Sequence, residues 1–340
     1  MVTETKTTEA EKSGKGASLS DKFHNAAFIN EYGKLESLRA VRQNTLFSVI
    51  LVNIEGFEGT QSSLKDPRML ATVQKVAAAM ISAARNSDVV GMTDNKQIVI
   101  IMPETDYFTS LSLIRKLSNA TDALLRDGVI DAAVAYAQAA FPRDGKTYDE
   151  LLMTAKYRFT DKKNSLWDKL DLDGKLFWEI VEGLFSRGYK GFDNSCFDAG
   201  MGFELTEFIM DQINDLIMKE IKRSAHRKAV AYFSARKISA SLPVAKGLAA
   251  VGPLASKIYL AGEAGDNIRE IKNASLIILD DPRLKETFFT FYLTENSGYA
   301  LVCKENWGAT FSCFHTSDHY MVEGLINKFY KEYSLQEHLG

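Results

Sequence analysis

The chain has 340 residues, 46% of them hydrophobic and 25% charged, with a formal net charge of −3. That length accommodates two cores, and the balance of charge gives no global attraction to nucleic acid or to a membrane surface. Three cysteines (Cys196, Cys303 and Cys313) are too few and too scattered to predict a disulfide framework, so a reducing compartment is expected. No run of about 18 apolar residues occurs and no apolar leader opens the chain, so a cytoplasmic protein is expected.

Residues 1–20 are polar and aperiodic and read as a disordered tail. A helical pattern covers 22–42, and the apolar run Leu46 to Ile54 reads as a strand. A second helix covers about 66–85. A hairpin follows, with Asp88 to Gly91 on one arm, Gln97 to Met102 on the other and Thr93-Asp94-Asn95-Lys96 as the turn. A helix at about 107–126, a strand at about 129–140, the break Phe141 to Lys146 and a helix from Thr147 complete the first unit. The order α-β-α-β-β-α-β-α predicts an α/β sandwich over residues 21–163.

Residues 164–203 are turn-rich and read as a connector, with Trp167, Phe177 and Trp178 as packing anchors. A long amphipathic helix is predicted between about 203 and 229, with Leu205, Ile209, Ile213, Leu216, Ile217 and Ile221 on its apolar stripe. The stripe suits dimerisation or interdomain packing equally. Strands are predicted near 257–262, 275–279, 287–293, 299–304 and 310–314, and a closing helix at about 318–333. Residues 204–340 are therefore read as a second mixed α/β domain.

Three segments in order resemble the GGDEF family of diguanylate cyclases. They are Asn53-Ile54-Glu55-Gly56-Phe57-Glu58, the stretch Asp88 to Asp106, and Ala139-Ala140-Phe141-Pro142-Arg143-Asp144-Gly145 running on to Leu152. The resemblance implies a nucleotidyl-cyclase palm. In that family, carboxylates hold two magnesium ions and a glycine hairpin cradles GTP. Magnesium requires hard oxygen ligands. Here Asn53 and Lys96 stand at carboxylate positions, Asp94 and Asn95 at the hairpin glycines, Gln97 next to them, and Gln61-Ser62 at the guanine-recognising pair. These departures predict a chain with no cyclase activity and no bound metal.

The family's inhibitory-site motif R-x-x-D matches Arg85-Asn86-Ser87-Asp88. The resemblance implies that these residues bind the product dimer, cyclic di-GMP. An arginine fork pairs with phosphate, and an aspartate accepts from guanine N–H donors. The plain alternative is a surface ion pair three residues apart, contributing a few tenths of a kcal/mol. Arg115 or Lys116 would supply a further phosphate contact. The expected function is a cyclic di-GMP effector; a nucleotide-independent interaction scaffold and an active cyclase are the alternatives.

Residues about 203–335 resemble the DICT sensory domain through Lys257 to Gly262, Phe288 to Leu293, Tyr299 to Glu305 and the strand–helix ending, which implies a sensory or protein-binding role with an unknown partner. Three sharper patterns lie there. The basic run Lys219, Lys222, Arg223, His226, Arg227, Lys228, Arg236 and Lys237 suits either an anion site or a solvated helix face. Cys313, His315 and His319 have three ligand types for zinc without a fourth. Asp171-Leu172-Asp173-Gly174 fails the calcium-loop pattern, because Lys169 and Ile180 fall at its first and twelfth positions.

Overall fold

The structure is a computed structural model. It describes residues 22–56, 66–93, 97–187, 201–265, 270–306 and 310–335, with only the backbone of 186–187 and 201–203. The polar tail, Phe57-Glu58, Gln61-Ser62, the turn Asp94 to Lys96, Cys196 and the turn-rich stretch Gly188 to Asn194 lie outside the described residues. The chain forms two compact units, divided between Lys156 and Tyr157.

The first unit runs β1 (Phe23–His24), α1 (Ala26–Gln43), β2 (Phe47–Ile54), α2 (Pro67–Ala83), β3 (Val89–Met92), β4 (Ile98–Pro103), α3 (Tyr107–Arg126) and β5 (Val134–Phe141), then enters α4 (Tyr148–Asn164). The sheet order is β1-β3-β4-β2-β5. Strands β2 and β3 flank β4, and β4 and β5 flank β2, all antiparallel to the strand between them. This is the interleaved β-α-β-β-α-β arrangement of a palm, and it bears out the α/β reading. Strand β2 sits between two neighbours and under helices on both faces, which is why its apolar run is continuous rather than alternating. Its even-numbered residues Ile50, Val52 and Ile54 join Val73, Val76 and Met80 of α2 and Leu113 and Leu117 of α3 in one core cluster. On the opposite face α1 meets α4 so closely that a Cβ on Gly33 would lie 2.5 Å from the Tyr148 ring.

Local chemistry sets the ends of these helices. Asn25 accepts from Phe28 N at 3.0 Å, Asp66 from Arg68 N at 2.9 Å with Pro67 following, and Asp106 from Thr109 N at 2.8 Å. Each satisfies an amide that has no partner within its helix. Asn44 ends α1 in the left-handed region, at φ 51°.

The second unit contains α5 (Leu166–Lys169), α6 (Phe177–Arg187), β6 (Met201–Thr206), α7 (Glu207–Arg223), β7 (Ala229–Ile238), α8 (Pro243–Ala249), β8 (Lys257–Ala264), β9 (Ser275–Ile278), β10 (Thr287–Thr294), β11 (Gly298–Glu305), β12 (Thr310–Thr316) and α9 (His319–Glu332). Its seven strands lie in the order β6-β12-β11-β10-β7-β8-β9. Strands β7, β8 and β9 are parallel and the rest antiparallel.

Three expectations are corrected here. The segment 164–203 is no free connector. It carries α5, α6 and the start of the edge strand β6, and Phe177 is fully buried among the rings of Trp178, Phe289, Phe291 and Phe329. The helix expected over 203–229 is α7 alone. Its buried face is Met210, Ile217, Met218 and Ile221, whereas Leu216 is 63% exposed. Cys303 and Cys313 stand opposite each other on β11 and β12, with Cα atoms 4.1 Å apart, and form a disulfide. Strand register brings the pair together, and their spacing in sequence does not reveal it.

One network fastens α9 to the turn Pro282–Lys285. The Asp281 carboxylate accepts from Arg283 Nε at 2.9 Å and Nη2 at 2.7 Å and from the Tyr333 hydroxyl at 2.7 Å; Trp178 Nε1 donates to that hydroxyl at 2.8 Å. The Arg283 guanidinium lies 4.7 Å above the Trp178 ring. These bonds, led by Arg283, hold the Asp281 carboxyl down at about 2, from an ordinary 3.8. A depressed carboxyl contributes stability that is present above the unfolded value and lost as pH falls through the folded one. Asp281→Asn should therefore cost about 1–2 kcal/mol at pH 6. In chemical melts across acid pH, the gap from wild type should close between about pH 4 and 2; a gap constant with pH would refute the assignment.

A candidate ligand turn between α2 and β3

Arg85 to Asp88 links α2 to β3. Asp88 N donates to the Arg85 carbonyl at 3.1 Å, and Arg85 N donates to Asp88 Oδ2 at 2.8 Å. The aspartate thus closes the turn on the backbone, as short polar side chains do. The surface ion pair weighed for these two residues does not form: among the described residues the Arg85 side chain, which is exposed, has no hydrogen-bond or ion-pair partner. Asp88 is half-buried. Desolvation raises its carboxyl, against the lowering by the Arg85 amide and guanidinium.

A cation that sequence reasoning missed lies at the same turn. Lys22 Nζ donates to Asn86 Oδ1 at 3.3 Å. Parallel pairing of β1 with β3, Phe23 opposite Val90, carries residue 22 there. Only a long-range strand pairing could have signalled it.

Arg115 and Lys116 sit on α3, which packs beside α2. They face different ways. Arg115 is buried, and its Nε and Nη1 have no hydrogen-bond partner among the described residues, whereas Lys116 is exposed.

The hairpin end of the sheet is a separate place. The register of β2 and β4 ends at Val52 opposite Ile98, so Asn53 is the next step, beside Gln97. Thr93 N donates to the Gln97 carbonyl at 2.8 Å, and Gln97 N donates to Thr93 Oγ1 at 3.2 Å. Asn53 and Gln97 thus share the end that carries the turn of Asp94, Asn95 and Lys96, which lies outside the described residues. Strand β3 separates this end from Arg85 and Asp88, by about 13 Å for its four residues.

Elsewhere the sharper patterns resolve simply. Lys219 pairs with Asp215 at 2.7 Å and Arg223 with Glu220 at 2.6 Å, which makes this part of the basic run a paired helix face. Asp173 Oδ1 accepts from Trp167 Nε1 at 2.7 Å. Cys313 is committed to its disulfide, burial lowers the His315 pKa, and no cluster of metal-ligating side chains occurs among the described residues. No described helix is long and apolar enough to cross a membrane.

No family model and no curated protein matches the chain. Solved structures do. The GGDEF domain of YfiN from Pseudomonas aeruginosa is 18% identical, over 43% of this chain and 87% of that one, with a TM-score of 0.37. The GGDEF domain of DgcB from Caulobacter crescentus, solved in complex with c-di-GMP, is 11% identical over 47% and 94%, with a TM-score of 0.37. The active GGEEF domain of a diguanylate cyclase from Vibrio cholerae is 12% identical over 41% and 91%, with a TM-score of 0.36.

The expectation that the chain is not an enzyme is corrected. The solved domains it resembles include diguanylate cyclases. The residues on which that expectation leaned most, Asp94 to Lys96, lie outside the described residues, so their geometry gives no ground for an absence of activity. The first unit's strand order, β1-β3-β4-β2-β5, is that of an interleaved β-α-β-β-α-β palm.

Proposed function

We propose that the chain is a signalling protein whose first unit binds cyclic di-GMP at the Arg85–Asp88 turn. The observation that carries this is an exposed Arg85 guanidinium without a partner among the described residues, next to a carboxylate already fixed by the backbone. An ionised carboxylate offers about four lone-pair sites, of which the Arg85 amide uses one on Oδ2 and the Ser87 hydroxyl, at 3.5 Å, one on Oδ1. The rest can accept from guanine N1–H and N2–H, while the guanidinium takes a phosphate or the guanine edge with its fork. Lys22 and Lys116 are assigned to the phosphates. The second unit, with a core of its own, is assigned the DICT-like sensory or protein-binding role.

A ligand held only by the folded state raises the melting temperature by mass action. Cyclic di-GMP at about 100 times its dissociation constant should stabilise the first unit by about 2.7 kcal/mol, and Asp88→Asn should remove most of that shift while keeping the turn. An unchanged melting curve at saturating ligand would refute the reading.

A further inference from the structure

Helix α1 buries Ile29, Gly33, Glu36, Ser37 and Ala40. Its opposite face is apolar too: Phe28 is 42% exposed, Leu35 54%, Leu38 70% and Val41 62%. Glu31, Leu35, Leu38 and Arg42 follow one another at steps of four, three and four residues, which aligns them along one line of the helix. Phe28 and Val41 flank that line. Glu31 and Arg42 are both exposed, and neither forms an ion pair with a described residue.

We propose that this face is a docking surface for a second copy of the chain, with the two α1 helices antiparallel about a two-fold axis between Leu35 and Leu38. The pattern is self-complementary about that point, as a two-fold interface requires. Leu35 of one copy meets Leu38 of the other. Glu31 meets Arg42, and the symmetry makes this pair twice. Lys34 and Arg39 fall on opposite flanks of the line, so the two-fold axis does not oppose them. The N-terminal tail is a poor occupant, since residues 1–20 are polar and have no apolar period to match the leucines. One helix pair buries less than the roughly 800 Å² per partner of a standard interface, so the association is weak and concentration-dependent.

Sedimentation velocity of the full chain, from about 1 to 200 µM, tests the proposal. Wild type should pass from monomer to dimer across that range. Leu38→Glu, an exposed position whose change leaves the fold intact by circular dichroism, should stay monomeric throughout. Glu31→Arg and Arg42→Glu should each weaken the dimer about tenfold, and the double exchange should restore it. A wild type that stays monomeric at the highest concentration, or a dimer indifferent to Leu38→Glu, overturns the surface. A double exchange that fails to restore association overturns the antiparallel pairing.

Discussion

Replacing Arg85 by alanine is expected to weaken cyclic di-GMP binding by at least about 100-fold, because two charge-assisted hydrogen bonds at 1.5–3 kcal/mol each are lost. The same change should leave the melting temperature of the free protein nearly unaltered. The turn is closed by the Asp88 carboxylate and three backbone groups, the Arg85 N–H and C=O and the Asp88 N–H, and the Arg85 side chain makes neither bond. That separation makes the variant informative: lost binding with kept stability reports on the ligand contact alone. Calorimetric titration of both proteins measures it, and equal affinities would show that the fork is not used. Acidity gives a second reading at the same place. Burial raises the Asp88 carboxyl, and only its ionised form accepts from both guanine donors. Affinity should therefore fall at a higher pH than an exposed aspartate would require.

Phe177→Ala is expected to destabilise the second unit by about 3–5 kcal/mol, the range for removing a fully buried aromatic ring. Phe177 is 0% exposed, with the rings of Trp178, Phe329 and Phe289 at 5.1, 5.3 and 5.8 Å. Alanine would leave a void that all three line. The measurement has a built-in reporter. Trp167 and Trp178 lie in the second unit and residues 1–156 contain no tryptophan, so urea unfolding followed by tryptophan fluorescence does not report on the first unit. The midpoint should drop sharply, while cyclic di-GMP binding by the first unit persists. A shift of less than about 1 kcal/mol would mean that the segment 164–203 is not built into this core.

That core also shows where the sequence stops being informative. The helix over 107–126 is readable to the residue because its signals are local: Asp106 caps it and apolar residues recur along one face. The pairing of residues 85 and 88 is local too, but it runs through the Arg85 backbone and not through the side-chain ion pair that the three-residue spacing suggests. Lys22 is not readable, since its place beside Asn86 depends on a strand pairing that spans 64 residues. Strands β6 and β7 are missed because the amphipathic pattern of α7 extends past both of its ends, and Leu205 continues the stripe while lying in a strand. The expected stripe of α7 holds at Ile217 and Ile221, while Met210 and Met218 take the buried places expected of Ile209 and Leu216, because overlapping three- and four-residue steps fit either set. The disulfide is a matter of register alone: Cys303 and Cys313 face each other only once β11 and β12 are aligned.

The substitutions at Asn53 and Lys96 carry a different lesson. Charge inversion at a metal position is a sound electrostatic argument about magnesium, but activity belongs to a whole site.

Everything functional in this account depends on one exposed guanidinium and one fixed carboxylate. Titration of the full-length wild-type chain with cyclic di-GMP by calorimetry tests it most directly. The account predicts a saturable heat with a dissociation constant in the micromolar range or tighter, about −8 kcal/mol or better. A flat titration at about 100 µM ligand, with the protein shown to be folded, would contradict it.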